Sequence, residues 1–150
     1  CYLLDEEKKV CFYLISLWVL MDSKTRRLKT ARVFRDRIEK EIPDLKDVKP
    51  LTEETLGNFP LEEDGFVKCD TYQVGKQDID ENGHMNNTVY FDILKDHLPE
   101  KSIHTFEMNY EKECLFEEKL NIFVKEGSFL TFKGMKDDGL SFKIKYTVMD

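Results

Sequence analysis

Glycine and proline are scarce in this chain of 150 residues, at 7 and 4. That is too few for a collagen-like or low-complexity polymer. Cysteine pairs are missing as well. Cys1, Cys11, Cys69 and Cys114 contain no C-x-x-C, and His84, His97 and His104 complete no zinc spacing, so neither a disulfide scaffold nor a metal site is expected. No cofactor motif is present. Positive charge is in deficit. The formal net charge is −7, which excludes a general nucleic-acid binder, because phosphate contacts need an excess of Lys and Arg. No internal repeat is visible. The longest apolar run, residues 10–21, has twelve residues broken only by Ser16. It is too short to span a bilayer. Asp5, Glu6 and Glu7 outweigh Lys8 and Lys9 before it, the wrong flank for a signal peptide.

What is there suits a folded domain. Eleven Phe, six Tyr and one Trp are spread along the chain, which argues against disorder, and the length allows one domain with a real core. The apolar run is rich in β-branched and aromatic residues, which predicts a strand buried on both faces, with Trp18 as a core anchor. A buried strand so early needs neighbours. Together with a first residue that is Cys rather than Met, it predicts missing upstream sequence. Residues 24–40 hold eight basic side chains against Asp36 and Glu39, a local balance of +6 that leaves −13 for the rest. Val33, Phe34, Arg37, Ile38 and Ile42 predict a short amphipathic helix. Three of the four prolines fall at 43, 50 and 60, so residues 43–64 read as a linker with at most one helical turn near residues 52–56.

Beyond it the chain predicts a strand at residues 66–74. Asn86 or Asn87 can cap a helix, whose apolar face is Val89, Tyr90, Ile93, Leu94 and Leu98 and which Pro99 ends. Four strands come next. The first covers residues 103–114, with Phe106, Met108, Tyr110 and Cys114 sharing one face and Glu113 the other. Leu120, Ile122 and Val124 alternate in the second, and residues 129–135 form the third. Asp138-Gly139 is a hairpin signal. Leu140, Phe142, Ile144, Tyr146 and Val148 then alternate with polar residues, a half-buried strand. Strands wrapped on one helix make an α+β plan.

The densest chemistry lies in residues 78–90, DIDENGHMNNTVY. Asp, Asn and Gly are turn formers, so a plain strand-to-helix connection would use them too. His84 favours a site: in a polar loop it can act as acid or base near neutral pH.

Asp80-Glu81-Asn82-Gly83-His84-Met85-Asn86-Asn87-Thr88-Val89-Tyr90 resembles the D-x-N-x-H-x-N-N-x-x-Y motif of plant and bacterial acyl-acyl carrier protein thioesterases. An acidic residue followed by Cys on the next strand is a second family element, matched by Glu113 and Cys114. The third is SLWVLMDSKTRRLKT, similar to the Trp-containing strand and Thr-Arg-Arg turn that end the family's first domain. The resemblance implies a hot-dog fold, an antiparallel sheet wrapped around a helix. Residues 1–42 would be the remnant of a first hot-dog domain and 65–150 a complete second one. It implies hydrolysis of fatty acyl thioesters, without cofactor or metal, in the cytoplasm of a bacterium or the plastid of a plant. Asp80, Asn82, His84 and Glu113 take the catalytic positions. Helix amides near Asn86 are candidates for the oxyanion.

Alternatives stay open. Cys114 with a histidine would make an acyl-enzyme, although its shared face with Phe106 favours an inert buried thiol. Coenzyme A is an alternative carrier, and binding or pairing without catalysis is a third reading. An acidic carrier protein would need a positive patch, for which Lys24, Arg26, Arg27, Lys29, Arg32 and Arg35 are the candidates. A single hot-dog sheet leaves an edge and an apolar face exposed, so two copies would pair as a homodimer or the stretch would be unstable, and strong activity is not expected of it alone.

Overall fold

The computed structural model describes residues 1–22, 24–25, 27–29, 56–100 and 102–148. The chain forms two compact units, residues 1–57 and 58–150. In the first, β1 (Tyr2–Leu4) pairs antiparallel with β2 (Val10–Tyr13), and β3 (Leu20–Met21) with β4 (Leu28–Lys29). Carboxylates shape both connections. Asp5 Oδ1 accepts the amides of Glu7 and Lys9, and Asp22 Oδ1 those of Lys24 and Thr25.

The single buried strand expected over residues 10–21 is therefore not found. The run is divided between two hairpins and is not strand from 14 to 19. Val10, Phe12 and Tyr13 are exposed, and Trp18 is 79% exposed, its indole N–H donating to Ser16 Oγ at 2.8 Å rather than anchoring a core. The reason is that two turns claim the ends of the run, and no other described element of this unit lies over it. The basic helix expected around Val33–Ile42 and most of the expected linker lie outside the described residues.

The second unit follows the α+β plan. β5 (Val67–Gln73) leads through a 3-10 turn (Lys76–Asp78) to helix α1 (Val89–Leu94), which tightens into a second 3-10 turn (Lys95–His97) before Pro99. The remaining strands are β6 (Ile103–Tyr110), β7 (Lys119–Lys125), β8 (Leu130–Lys136) and β9 (Gly139–Val148). All pairs are antiparallel, in the order β5-β7-β8-β9-β6. The helix buries Tyr90, Ile93 and Leu94 against Leu120, Ile122, Phe132, Phe142, Ile144 and Tyr146 of the sheet, as period-2 alternation in the strands requires. Tyr90 meets Phe142 edge-on, with ring centroids 5.1 Å apart, a favoured aromatic geometry. His97 Nε2 lies 3.2 Å from Asp70 Oδ2 and joins the second turn to β5.

Two expectations need correction. The strand predicted over 103–114 stops at Tyr110, so alternation does not set the directions of Glu113 and Cys114. β9 is not half-buried: Ser141 and Lys143, on its polar side, are also buried. Ser141 is closed over by residues 111–114, and the cover over Lys143 comes from the segment before β5. Phe59 N–H donates to Asn109 Oδ1 at 3.1 Å, and Asn58 Nδ2 to Glu111 Oε1 at 2.9 Å. The ammonium groups of Lys143 and Lys145 lie 5.0 and 4.7 Å from the centre of the Phe59 ring, within cation–π range. Edge strand β6 keeps Ile103, Phe106 and Tyr110 exposed.

Gly134 sits opposite Phe142 in the β8–β9 register. A Cβ at Gly134 would fall 2.2 Å from the Phe142 ring and 3.1 Å from Leu120 Cδ1. Both neighbours are fully buried, so neither can yield cheaply. Gly134→Ala is expected to destabilise the fold by about 1–3 kcal/mol, the usual cost of overpacking, seen as a lower urea midpoint. An unchanged midpoint would show that this approach is not a constraint.

Candidate functional site

The site is built on the connection from β5 to α1. Asp78, buried at the end of the first 3-10 turn, accepts the Tyr72 hydroxyl and the Gly75 amide on Oδ2, both at 2.7 Å. Burial, followed by the Asp78 hydrogen bond and charge, pushes the Tyr72 phenol up to about 12. Ile79 and Met85 then form an antiparallel bridge. Asp80 N–H donates to His84 O at 2.9 Å and Asn86 N–H to Asp78 O at 2.8 Å. Within this small loop the turn needs Gly83, whose φ is +84°, a conformation costly for residues with a Cβ.

The loop gathers three of the expected residues. Asp80 Oδ1 accepts the Asn82 amide at 2.8 Å, and Oδ2 accepts Asn82 Nδ2 at 3.3 Å. His84 Nδ1 lies 3.6 Å from Asp80 Oδ2, an ion pair when the ring is protonated. Burial works against ionisation of Asp80, but the Asn82 amide, the Asn82 side chain and His84 together outweigh it and hold the carboxyl below its ordinary value.

The fourth residue comes from residues 111–118, which carry the chain from β6 back to β7. Met85 N–H donates to Cys114 O at 2.7 Å. That bond lies one residue beyond His84 on one side and one residue beyond Glu113 on the other, so it joins the two loops where the expected groups stand. Glu113 is half-buried. Cys114 is fully buried, its Sγ 3.1 Å from Ser141 Oγ. Burial and the neighbouring Cys114 raise the Tyr90 phenol well above its ordinary value.

The capping expectation changes in detail. Thr88 precedes the first helical residue, while Asn86 turns the chain into the helix by accepting the Thr88 amide and hydroxyl on Oδ1, both at 3.0 Å. Val89 N–H donates to Asn86 O. The amides of Thr88 and Val89 are therefore already used, and the oxyanion role suggested for this helix start does not fall to them.

Of the basic candidates, Lys24, Arg27 and Lys29 are exposed, and Lys29 pairs with Asp22 at 2.7 Å. Arg26, Arg32 and Arg35 lie outside the described residues. Sequence reasoning gave Asp78 no role of its own within the stretch 78–90 and did not single out Ser141. Only Asp78 left a signal, as a carboxylate three residues after Gly75 at a turn.

Asp80 makes a pH prediction. Its folded pKa is depressed, so its stabilisation is complete above the unfolded value of about 4 and is lost as pH falls through the lower folded value. Asp80→Asn should lower the urea midpoint at pH 7, and the gap to the parent chain should close in acid. A gap that stays constant down to pH 2 would contradict this.

The family model described as the acyl-ACP thioesterase C-terminal domain matches residues 62–149. The crystal structure of an acyl-ACP thioesterase from Bacteroides thetaiotaomicron superposes with a TM-score of 0.59 at 24% identity, covering 68% of this chain and 44% of that one. A Lactobacillus plantarum protein provisionally described as an oleoyl thioesterase superposes with a TM-score of 0.67 at 20% identity, covering 99% of this chain and 62% of that one. The chain thus spans about half of the length of these structures. No curated protein sequence matches it. Among the described residues no helix is long and apolar enough to cross a membrane. The sheet and helix have the hot-dog arrangement, and over residues 62–149 this chain belongs to the acyl-ACP thioesterase family.

Proposed function

We propose that the second unit hydrolyses fatty acyl thioesters carried on acyl carrier protein, with Asp80, Asn82, His84 and Glu113 as its working groups. The observation that carries this reading is the hydrogen-bonded Asp80–Asn82–His84 loop, fastened next to Glu113 by the Met85–Cys114 bond.

The geometry supports the following chemistry. A base takes a proton from water, the water oxygen attacks the thioester carbonyl carbon, and the C–S bond breaks. The sulfur then recovers the proton, giving free acid and thiol. Asp80 and the Met85 carbonyl both lie on the Nδ1 side of His84. That leaves Nε2 as the ring nitrogen for proton transfer. Glu113 is the second group able to serve as base. Asn82 Nδ2 carries two N–H groups. One is held by Asp80, and the other can donate to the carbonyl oxygen as its charge grows. Asp80 fixes Asn82 and His84 and stays ionised to do so. The buried position of Cys114 weighs against the acyl-enzyme alternative, because a thiol with no solvent exposure cannot meet a thioester without local opening.

The test uses the full chain with matched acyl-carrier protein and acyl-coenzyme A substrates. Turnover of the carrier-protein substrate is expected to be the faster. His84→Ala and Glu113→Gln should each lower kcat by about 100-fold or more, while Cys114→Ala keeps most of it. Retained turnover in both His84→Ala and Glu113→Gln would remove the reading. Abolished turnover in a folded Cys114→Ala chain would establish the covalent scheme instead.

The basic stretch supplies the carrier contact in this reading, since acidic partners are steered by local positive charge. Reversing Arg26 and Arg27 to Glu should raise KM for the carrier-protein substrate at low salt and leave the coenzyme A substrate less affected. An unchanged KM would exclude that docking site.

A further inference from the structure

Residues 111–118 form neither helix nor strand, yet the peptide groups around Glu113 are held one after another. Ser141 O accepts the amides of Glu111 and Lys112, at 2.7 and 3.0 Å. The Ser141 hydroxyl donates to Lys112 O at 2.8 Å and touches Cys114 Sγ at 3.1 Å. Lys136 Nζ donates to Glu113 O at 2.7 Å. Cys114 O accepts the Met85 amide. Two side chains from the β8–β9 hairpin thus fix the backbone on both sides of Glu113.

Neither residue is an ordinary occupant of its position. Ser141 is completely buried, and a hydroxyl there would be a net cost if its hydrogen bonds were not made. The Lys136 side chain is 8% exposed and is anchored to Glu118 Oε2 at 2.7 Å. Burial opposes its charge, but Glu118 and Asp138 outweigh burial, so the ammonium keeps its proton. A charged donor to a carbonyl is about twice as strong as a neutral one.

We propose that Ser141 and Lys136 are positioning residues that hold Glu113 beside the His84 loop by fixing its peptide groups. The inference rests on the reading of Glu113 as a working group. It assigns these two residues no contact with substrate. Their effect on catalysis passes through the placement of the Glu113 carboxylate, and small displacements of such groups are costly.

The experiment is a double-mutant cycle on the full chain. Ser141→Ala and Lys136→Met are each made alone and in a Glu113→Gln background. Each single change should lower kcat about tenfold or more with KM nearly unchanged, and Lys136→Arg should recover most of the loss. In the Glu113→Gln background neither change should lower kcat further. An equal fall in both backgrounds would overturn the proposal, because the residue would then act on the fold at large. Amide exchange gives a readout independent of activity. In Ser141→Ala the Met85 amide should exchange at least about tenfold faster while the Leu120 and Ile122 amides of β7 keep their protection. Unchanged exchange at Met85 would also overturn it. If Glu113→Gln itself retained full turnover, the functional reading would fall, and exchange at Met85 would still decide whether Ser141 holds this stretch. If Ser141→Ala did not fold, Lys136→Met, at the rim of the hairpin, carries the same cycle.

Discussion

The site depends on one backbone hydrogen bond, from the Met85 amide to the Cys114 carbonyl. It exists because of the strand order. β6 pairs with β9 at one side of the sheet, while β7 lies beside β5 at the other. The chain must therefore cross three strand spacings, roughly 14 Å, between them. It does so in eight residues, 111–118, which reach about 27 Å when fully extended. That reach is about twice the span, so the hydrogen bonds made along the crossing, and not its length, select the path. It passes the loop between β5 and α1, and there the two backbones bond. Val74 N–H to Glu118 O and Glu117 N–H to Val74 O fasten the far end of the crossing in the same way.

The polar groups at this end of the sheet serve geometry more than stability. Asp78 ties Tyr72 to Gly75, Asp80 ties Asn82 to His84, and Ser141 ties residues 111 and 112. No buried side-chain nitrogen or oxygen among the described residues lacks a partner. A network completed in this way specifies one arrangement, whereas a partly satisfied one would favour several. The apolar side of the sheet supplies the driving force. Phe132, Phe142, Ile144, Leu120 and Leu94 are shielded from water completely, and burying one such side chain contributes roughly 1.5–3 kcal/mol.

Local chemistry was legible in the sequence, and distant packing was not. The loop from Asp80 to His84 is closed by contacts among neighbours, so turn chemistry and the family motif place its residues together. The core alternation of β9 is equally local. Its outer face is not, because the cover over Lys143 comes from Phe59, far away along the chain. Alternation suggested that Cys114 would be buried and Glu113 would face away. Cys114 is buried, but the strand ends at Tyr110, and hydrogen bonds from Ser141 and Lys136 govern the path of the chain from there. The apolar run at residues 10–21 misled for a related reason. Hydrophobicity says what would profit from burial, but a strand is buried only where something lies on its faces. In that unit the described hairpins leave Leu17, Trp18 and Val19 in solvent.

The segment ahead of β5 has a consequence for assembly. Phe59 lies under the ammonium groups of Lys143 and Lys145, Phe66 under that of Lys133, and Glu62 reaches Lys125. The polar side of the sheet is thus wrapped by the protein's own connecting stretch. Another sheet could stack there only by peeling residues 58–66 away, which would strand a buried lysine without its aromatic neighbour. Growth by layering is blocked on that side, and lateral growth is left to the two edges of the sheet, β5 and β6.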